Sequence, residues 1–237
     1  MVKIDIFSGF LGAGKTTLIK KLIAEAYAGE KLVLIENEFG EIGIDGGFLK
    51  DSGILVDEMN SGCICCSLVG DFAIALKKVV DEYAPDRILI EPSGVGKLSD
   101  VIKAVENAKL EDAVLSSYTA VVDVQKCKMY MKNFGEFFND QVKSAGCIVL
   151  SRTGDATEKK IEEAIGLIRE HNEDAVIVST PWDELDAKQL VGAIEMADSL
   201  ENDLEELKHE HHHHEHGEEC GCGHHHHEHG EECGCGH

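Results

Sequence analysis

The sequence predicts an α/β domain, an open and mostly parallel sheet with helices on both faces. Two observations carry this. Short β-branched runs alternate with longer segments of helical periodicity. The 237 residues, 43% hydrophobic and 28% charged, are also enough for one medium body with a sizeable core. In chain order, a strand near 2–7 is followed by a helix near 15–28, a strand near 31–36 and another near 54–57. A helix near 68–83 precedes the apolar run Arg87–Glu91, and a helix near 97–108 precedes a strand near 118–123. A helix near 135–145, a strand near 147–151, a helix near 157–170 and a strand near 175–178 complete the alternation. The first strand is irregular: Lys3 and Asp5 alternate with Ile4 and Ile6, where a strand covered on both faces should be apolar, so its early residues are expected at the sheet's rim. A last helix is expected to start after Pro181. Its Leu190, Ile194, Ala197, Leu200, Leu204 and Leu207 recur at three- or four-residue steps. That stripe is expected to dock on the domain, with a partner interface as the alternative.

A formal charge of −23, from 22 Lys+Arg against 45 Asp+Glu, repels phosphate backbones and anionic lipid, which argues against nucleic acid and membrane as partners. No apolar run approaches the ~18 residues of a membrane span, and Met1–Phe10 lacks the features of a leader, so a cytoplasmic protein is expected. Twelve of the 13 histidines and four of the nine cysteines fall in His209–His237, with seven Glu, no Lys or Arg and hardly an apolar side chain. Such a composition cannot build a core. The expected division is therefore a domain over 1–208 and a tail over 209–237 that is disordered without metal.

Gly9-Phe10-Leu11-Gly12-Ala13-Gly14-Lys15-Thr16 follows a β-rich run and opens a helical one. In that context the G-x-x-x-x-G-K-[ST] pattern marks a phosphate loop. Its backbone N–H groups and the helix N-terminus face phosphate oxygens, Lys15 neutralises β/γ charge, and Thr16 is placed to hold Mg²⁺. A glycine-rich turn that merely joins strand to helix is the alternative. Glu91, closing Arg87-Ile88-Leu89-Ile90-Glu91, is the candidate carboxylate for Mg²⁺ through water, set against an ordinary acid at a strand end. The segment 37–46, Asn-Glu-Phe-Gly-Glu-Ile-Gly-Ile-Asp-Gly, has glycines that permit rearrangement and carboxylates, Glu38 among them, that could order water or metal. Asp45 is the choice for positioning the attacking water. An acidic surface loop is the competing account.

Cys63, Cys65 and Cys66 lie within four residues, which in a reducing compartment favours metal or redox chemistry over disulfides, with buried apolar cysteine the alternative. Cys63 and Cys65 can point one way from extended backbone, and Cys66 sits near the start of the next helix, where its pKa would fall. Cys127 and Cys147 are isolated and read as core, and His171 reads as surface. The tail is a perfect 13-residue repeat: His211, His212, His213, His214, His216, Cys220 and Cys222 recur as His224, His225, His226, His227, His229, Cys233 and Cys235. Imidazole, thiolate and carboxylate on one flexible chain suit Zn²⁺, Ni²⁺ or Co²⁺.

Together, residues 9–17 (Gly-Phe-Leu-Gly-Ala-Gly-Lys-Thr-Thr), 37–45, Gly62-Cys63-Ile64-Cys65-Cys66-Ser67 and Glu91-Pro92-Ser93-Gly94 resemble the CobW/UreG/HypB group of P-loop GTPases, and within it the CobW-like metallochaperones. The resemblance covers about Val2–Asp155. It implies a P-loop NTPase fold, hydrolysis of GTP with Mg²⁺, and delivery of a transition metal to a client metalloprotein, with Cys63, Cys65 and Cys66 near the switch segment. It leaves a homodimer open. Gly9, Gly12, Ala13, Gly14, Lys15, Thr16 and Thr17 would hold the phosphates, and Ser151, Arg152 and Asp155 the base. Two departures stand out. The family's usual Asn-Lys-x-Asp is replaced by Ser151-Arg152-Thr153-Gly154, with Asp155 one residue late, which weakens guanine discrimination. Little more than one helix separates Pro181 from the tail, so the usual separate C-terminal domain is not expected. A passive metal store retaining a P-loop, and a P-loop kinase for a small molecule, are the rival readings.

Overall fold

Every paired strand runs parallel to its neighbour, so each connection must travel the length of the sheet to return. The computed structural model describes residues 1–36, 55–58 and 69–195. In order these form β1 (Val2–Gly9), α1 (Lys15–Glu25), β2 (Leu32–Glu36), β3 (Leu55–Glu58), α2 (Val69–Tyr83), β4 (Arg87–Glu91), α3 (Leu98–Asn107), β5 (Ala113–Asp123), α4 (Cys127–Asn133), α5 (Gly135–Ser144), β6 (Cys147–Ser151), α6 (Glu158–Arg169), β7 (Val176–Val178) and a final helix α7 over 187–195. The sheet order is β3-β2-β4-β1-β5-β6-β7. The chain runs outward from β1 towards one edge and then, after β4, crosses to the other. The carboxyl ends beside β1 therefore form the crevice where such sheets bind ligands.

Strand side chains alternate between two cores. Ile4, Ile6, Ile88, Ile90, Ile148 and Leu150 join one, with helix residues such as Phe72, Val101, Phe138 and Ile168. Phe7, Leu89, Val121, Cys147 and Val149 join the other, with Leu18, Ile19 and Leu22 of α1. Leu190 and Ile194 of α7 are buried in that second core, as the docking reading of the stripe required. Ala197, Leu200, Leu204 and Leu207 lie outside the described residues. So does the boundary expected between 208 and 209; contacts divide the chain into Met1–Glu201 and Asn202–His237. Among the described residues no helix is long and apolar enough to cross a membrane.

Three elements differ from expectation for physical reasons. Helix α4 went unread because only Cys127 and Tyr130 of its seven residues are buried, too few to show a period. β5 begins five residues earlier than expected. Ser116 is an extra residue opposite β1, where pairing passes from Ile4–Leu115 to Asp5–Ser117, and two serines interrupt the β-branched pattern there. Third, β1 is the middle strand of seven, not a rim strand. Asp5 is wholly buried, and its charge is answered in place: the Arg87 guanidinium pairs with it, and the Ser117 hydroxyl donates to it at 2.7 Å. Arg87 reaches on to Glu30 at 2.8 Å and Glu195 at 3.2 Å, lies 4.3 Å from the Tyr27 ring centre, and Lys3 joins Glu195 at 2.8 Å. Burial pushes the Asp5 carboxyl up from its ordinary value, and Arg87 opposes that push.

Removing one partner of such a pair leaves a buried charge uncompensated. Arg87→Met should lower stability by about 3–5 kcal/mol in urea unfolding, while Asp5→Leu with Arg87→Met should recover most of that loss.

Candidate functional site

The loop from Gly9 to Gly14 is shaped by close approach and by backbone that side chains resist. At Gly9 a Cβ would stand 2.5 Å from the Val121 carbonyl oxygen, so only glycine lets the end of β1 press against β5. Gly14 caps α1 in the left-handed region, with φ 104°. Between them the Ala13 N–H donates to the Phe10 carbonyl at 3.0 Å, and the first helical turn closes with Leu18 N–H on the Gly14 carbonyl at 3.0 Å. Gly12 is exposed, Ala13 and Lys15 are buried, and Thr17 is exposed on α1.

Glu91 ends β4 directly beside this loop. Its carboxylate oxygens lie 3.0 and 3.2 Å from the Thr16 hydroxyl, which donates to them, and 3.9 Å from Lys15 Nζ. Lys15 and Glu91 are both almost completely buried. The residues expected to handle phosphate and Mg²⁺ are thus brought together. The structure adds a neighbour that sequence reasoning missed. Glu36 pairs in register with Glu91 on one side and with Glu58 on the other, so three glutamates form a row across the carboxyl ends of β4, β2 and β3. An acid closing the apolar run Leu-Val-Leu-Ile-Glu was the available signal, the same that marked Glu91.

On the far side of the loop stand Ser151 and Arg152. Arg152 adopts φ 58°, donates to the Gly12 carbonyl at 3.0 Å and pairs with Asp123 at the end of β5. Ser151 is buried; its Cβ would lie 3.9 Å from a Cβ on Gly14. The hydroxyls of Ser151 and Thr153 are buried without a hydrogen-bond partner. Asp155 is exposed within a turn closed by Ala156 N–H on the Thr153 carbonyl, and Gly154 faces Pro181. Asp123 and Trp182, which stands against Gly14, were not singled out from sequence; a lone acid and a lone tryptophan carry no spacing signal.

Glu38, Asp45, Cys63, Cys65 and Cys66 lie outside the described residues, as do all the tail donors from His211 to Cys235. Among the described residues no group of three or more His, Cys, Asp or Glu is arranged to hold a metal ion. Cys127 and Cys147 are buried free thiols whose burial raises their pKa to about 12, which keeps them protonated core residues. His171 is exposed.

A loop of this geometry cradles nucleotide phosphates with its backbone N–H groups, and fold and site together define a P-loop nucleotide-binding domain. Comparison makes the class specific. Residues 3–179 match the model of the CobW/HypB/UreG nucleotide-binding domain, and the chain belongs to that family. It is 34% identical over 166 residues to the zinc chaperone YeiR of Escherichia coli, covering 70% of this chain and 50% of YeiR. It is 33% identical over 177 residues to the zinc chaperone CobW of a Sinorhizobium species, covering 62% of this chain and 50% of that protein. The chain thus spans about half the length of these relatives. The fold resembles Zn(II)-bound YjiA GTPase of E. coli, with TM-score 0.59 and 24% identity over 79% of this chain and 62% of that one.

Lys15→Ala and Glu91→Gln should each cut nucleotide hydrolysis by about 100-fold or more, because each removes a charge expected at the phosphates or their metal. Both variants should keep the wild-type circular dichroism spectrum. Turnover within a few-fold of wild type would remove these residues from the active site.

Proposed function

We propose that the chain hydrolyses a nucleoside triphosphate, GTP by preference, and couples that cycle to delivery of a transition metal to a client metalloprotein. The observation that carries this reading is the convergence of Lys15, Thr16 and Glu91 at the mouth of the phosphate loop. The Thr16 hydroxyl and Glu91 carboxylate are hard oxygen donors at bonding distance from each other, a set that suits Mg²⁺. Bound there, Mg²⁺ would neutralise charge that develops on the transferred phosphoryl group. Lys15 holds the β/γ oxygens, Asp45 orients the attacking water, and Glu38 of the same segment after β2 supplies a carboxylate that orders water or metal.

The metal is cargo. Cys63, Cys65 and Cys66 are its ligands on the domain, and they belong to the connection between Glu58 and Val69, which leaves the sheet at the same carboxyl edge as Glu91. The relatives named as zinc chaperones support zinc as cargo. The tail collects or stores ions on its two histidine and cysteine repeats, and the reacting geometry belongs to the domain. Guanine selectivity is weaker than an aspartate at position 154 would give, since Gly154 stands there and Asp155 is exposed.

The test is phosphate release with GTP and ATP in competition, with and without Zn²⁺. Slow hydrolysis that favours GTP and depends on metal is expected; a passive store would show none, and a kinase would require a phosphate acceptor. Equal affinities would make the activity that of a general NTPase.

Replacing Cys63, Cys65 and Cys66 by Ser should remove one tightly bound ion and uncouple the rate from metal. Deleting His209–His237 should remove most of the remaining ions and leave hydrolysis nearly unchanged. Tail binding should weaken as pH falls through about 6.5, because protons compete with metal for neutral imidazole. Metal content by mass spectrometry beside the rate assay reads all three.

A further inference from the structure

Trp182 is the chain's single tryptophan, and its indole is fixed at both ends. Its Nε1–H donates to the Leu150 carbonyl at the end of β6, at 2.8 Å. The opposite edge of the ring lies over Gly14, where a Cβ would stand 3.1 Å from Cη2 and 3.5 Å from Cζ3. The ring is anchored by packing with Leu185 against the second core and by a turn in which Glu184 N–H donates to the Pro181 carbonyl at 3.0 Å. Gly14 is the N-cap of α1 and holds a left-handed φ of 104°. A glycine so placed has the most backbone freedom to lose when phosphate binds.

The same tryptophan stands next to the opposite side of the site. Pro181 faces Gly154, in the loop whose Arg152 donates to the Gly12 carbonyl. Two braces therefore reach the phosphate loop from the segment after β6 and from that after β7: Arg152 on Gly12, and Trp182 on Gly14.

We infer that Trp182 is a positioning residue for nucleotide binding. By walling Gly14 it holds the phosphate loop in its accepting conformation before the nucleotide arrives, so that less ordering remains to oppose binding. The inference rests on the reading of the chain as a nucleotide hydrolase. Trp182 acts through Gly14 and touches no reacting atom, so its effect falls on affinity. Once phosphate is bound, its own hydrogen bonds hold the loop, and the chemical step proceeds as before.

The experiment is steady-state hydrolysis of GTP with Mg²⁺ by the full chain, its W182A and W182F variants, and tryptophan emission of the wild type during nucleotide titration. W182A should raise KM by about tenfold or more with kcat within about twofold, and W182F, whose shorter ring lacks the Cη2–Cζ3 edge that lies over Gly14, should raise KM by about threefold or more, also with kcat within about twofold. Wild-type emission should change saturably, with a midpoint at the dissociation constant found by equilibrium dialysis. A W182A protein that melts earlier but keeps the wild-type KM would overturn the inference, because that is the signature of a merely structural residue. Should W182A fail to fold, unchanged wild-type emission at nucleotide saturation, or a W182F protein with KM raised as far as kcat is lowered, would overturn it equally. A wild-type chain that binds neither GTP nor ATP by dialysis would bring down the proposed function and this inference together, an outcome distinct from an unchanged KM in W182A.

Discussion

A carboxylate buried in the middle strand of a parallel sheet must be neutralised where it stands, and the pairing of Asp5 with Arg87 meets that demand. It also bears on register. Lys3 lies opposite Arg87 and Ile6 opposite Ile90, so the two charges meet only when β1 and β4 align in this way. Four residues beyond Arg87, the same alignment delivers Glu91 to Thr16 and Lys15. A slip of one residue would turn Glu91 to the other face and leave Asp5 buried without its partner. The ionic cluster at one end of the strands thereby secures the geometry of the chemical site at the other.

The two ends of the sheet have been given different charge arrangements. At the amino end, acids and bases close on one another: Asp5, Glu30, Glu195, Lys3 and Arg87 form a linked set that leaves little charge unanswered. At the carboxyl end, the buried glutamates Glu36 and Glu91 stand in register on neighbouring strands, with one buried lysine, Lys15, beside Glu91. That excess of carboxylate calls for cations, and in a chain of net charge −23 the proposed site would accommodate a nucleotide's phosphates through Lys15, backbone N–H groups and the metal they bring. The glycine loop is the point where these demands meet. Its backbone presents donors to phosphate on one side and takes its own restraints from Val121, Arg152 and Trp182 on the other.

Much of this was legible in the residue order, because the signals are local. The phosphate loop depends on glycines and a lysine at fixed offsets within one strand-to-helix turn, and Glu91 closes an apolar run. The alternation of β-branched and helical segments marks a parallel sheet whatever its strand order. The tail's 13-residue repeat of histidine and cysteine is likewise read from the residue order alone. These features the sequence determined by itself. Strand order was decided only in three dimensions. Lys3 and Asp5 look like rim residues until Arg87, 82 positions from Asp5, is folded against them. The bulge at Ser116 puts Ser117 opposite Asp5, to which its hydroxyl donates, and the helix Cys127–Asn133 is held through two buried side chains. Glu36 became a neighbour of Glu91 through register, and Trp182 a wall for Gly14 through the packing of the chain after β7. In each case the partner lies far along the chain. Hydrogen-bond register and core packing, which act between segments, made the contact that spacing within a segment does not encode.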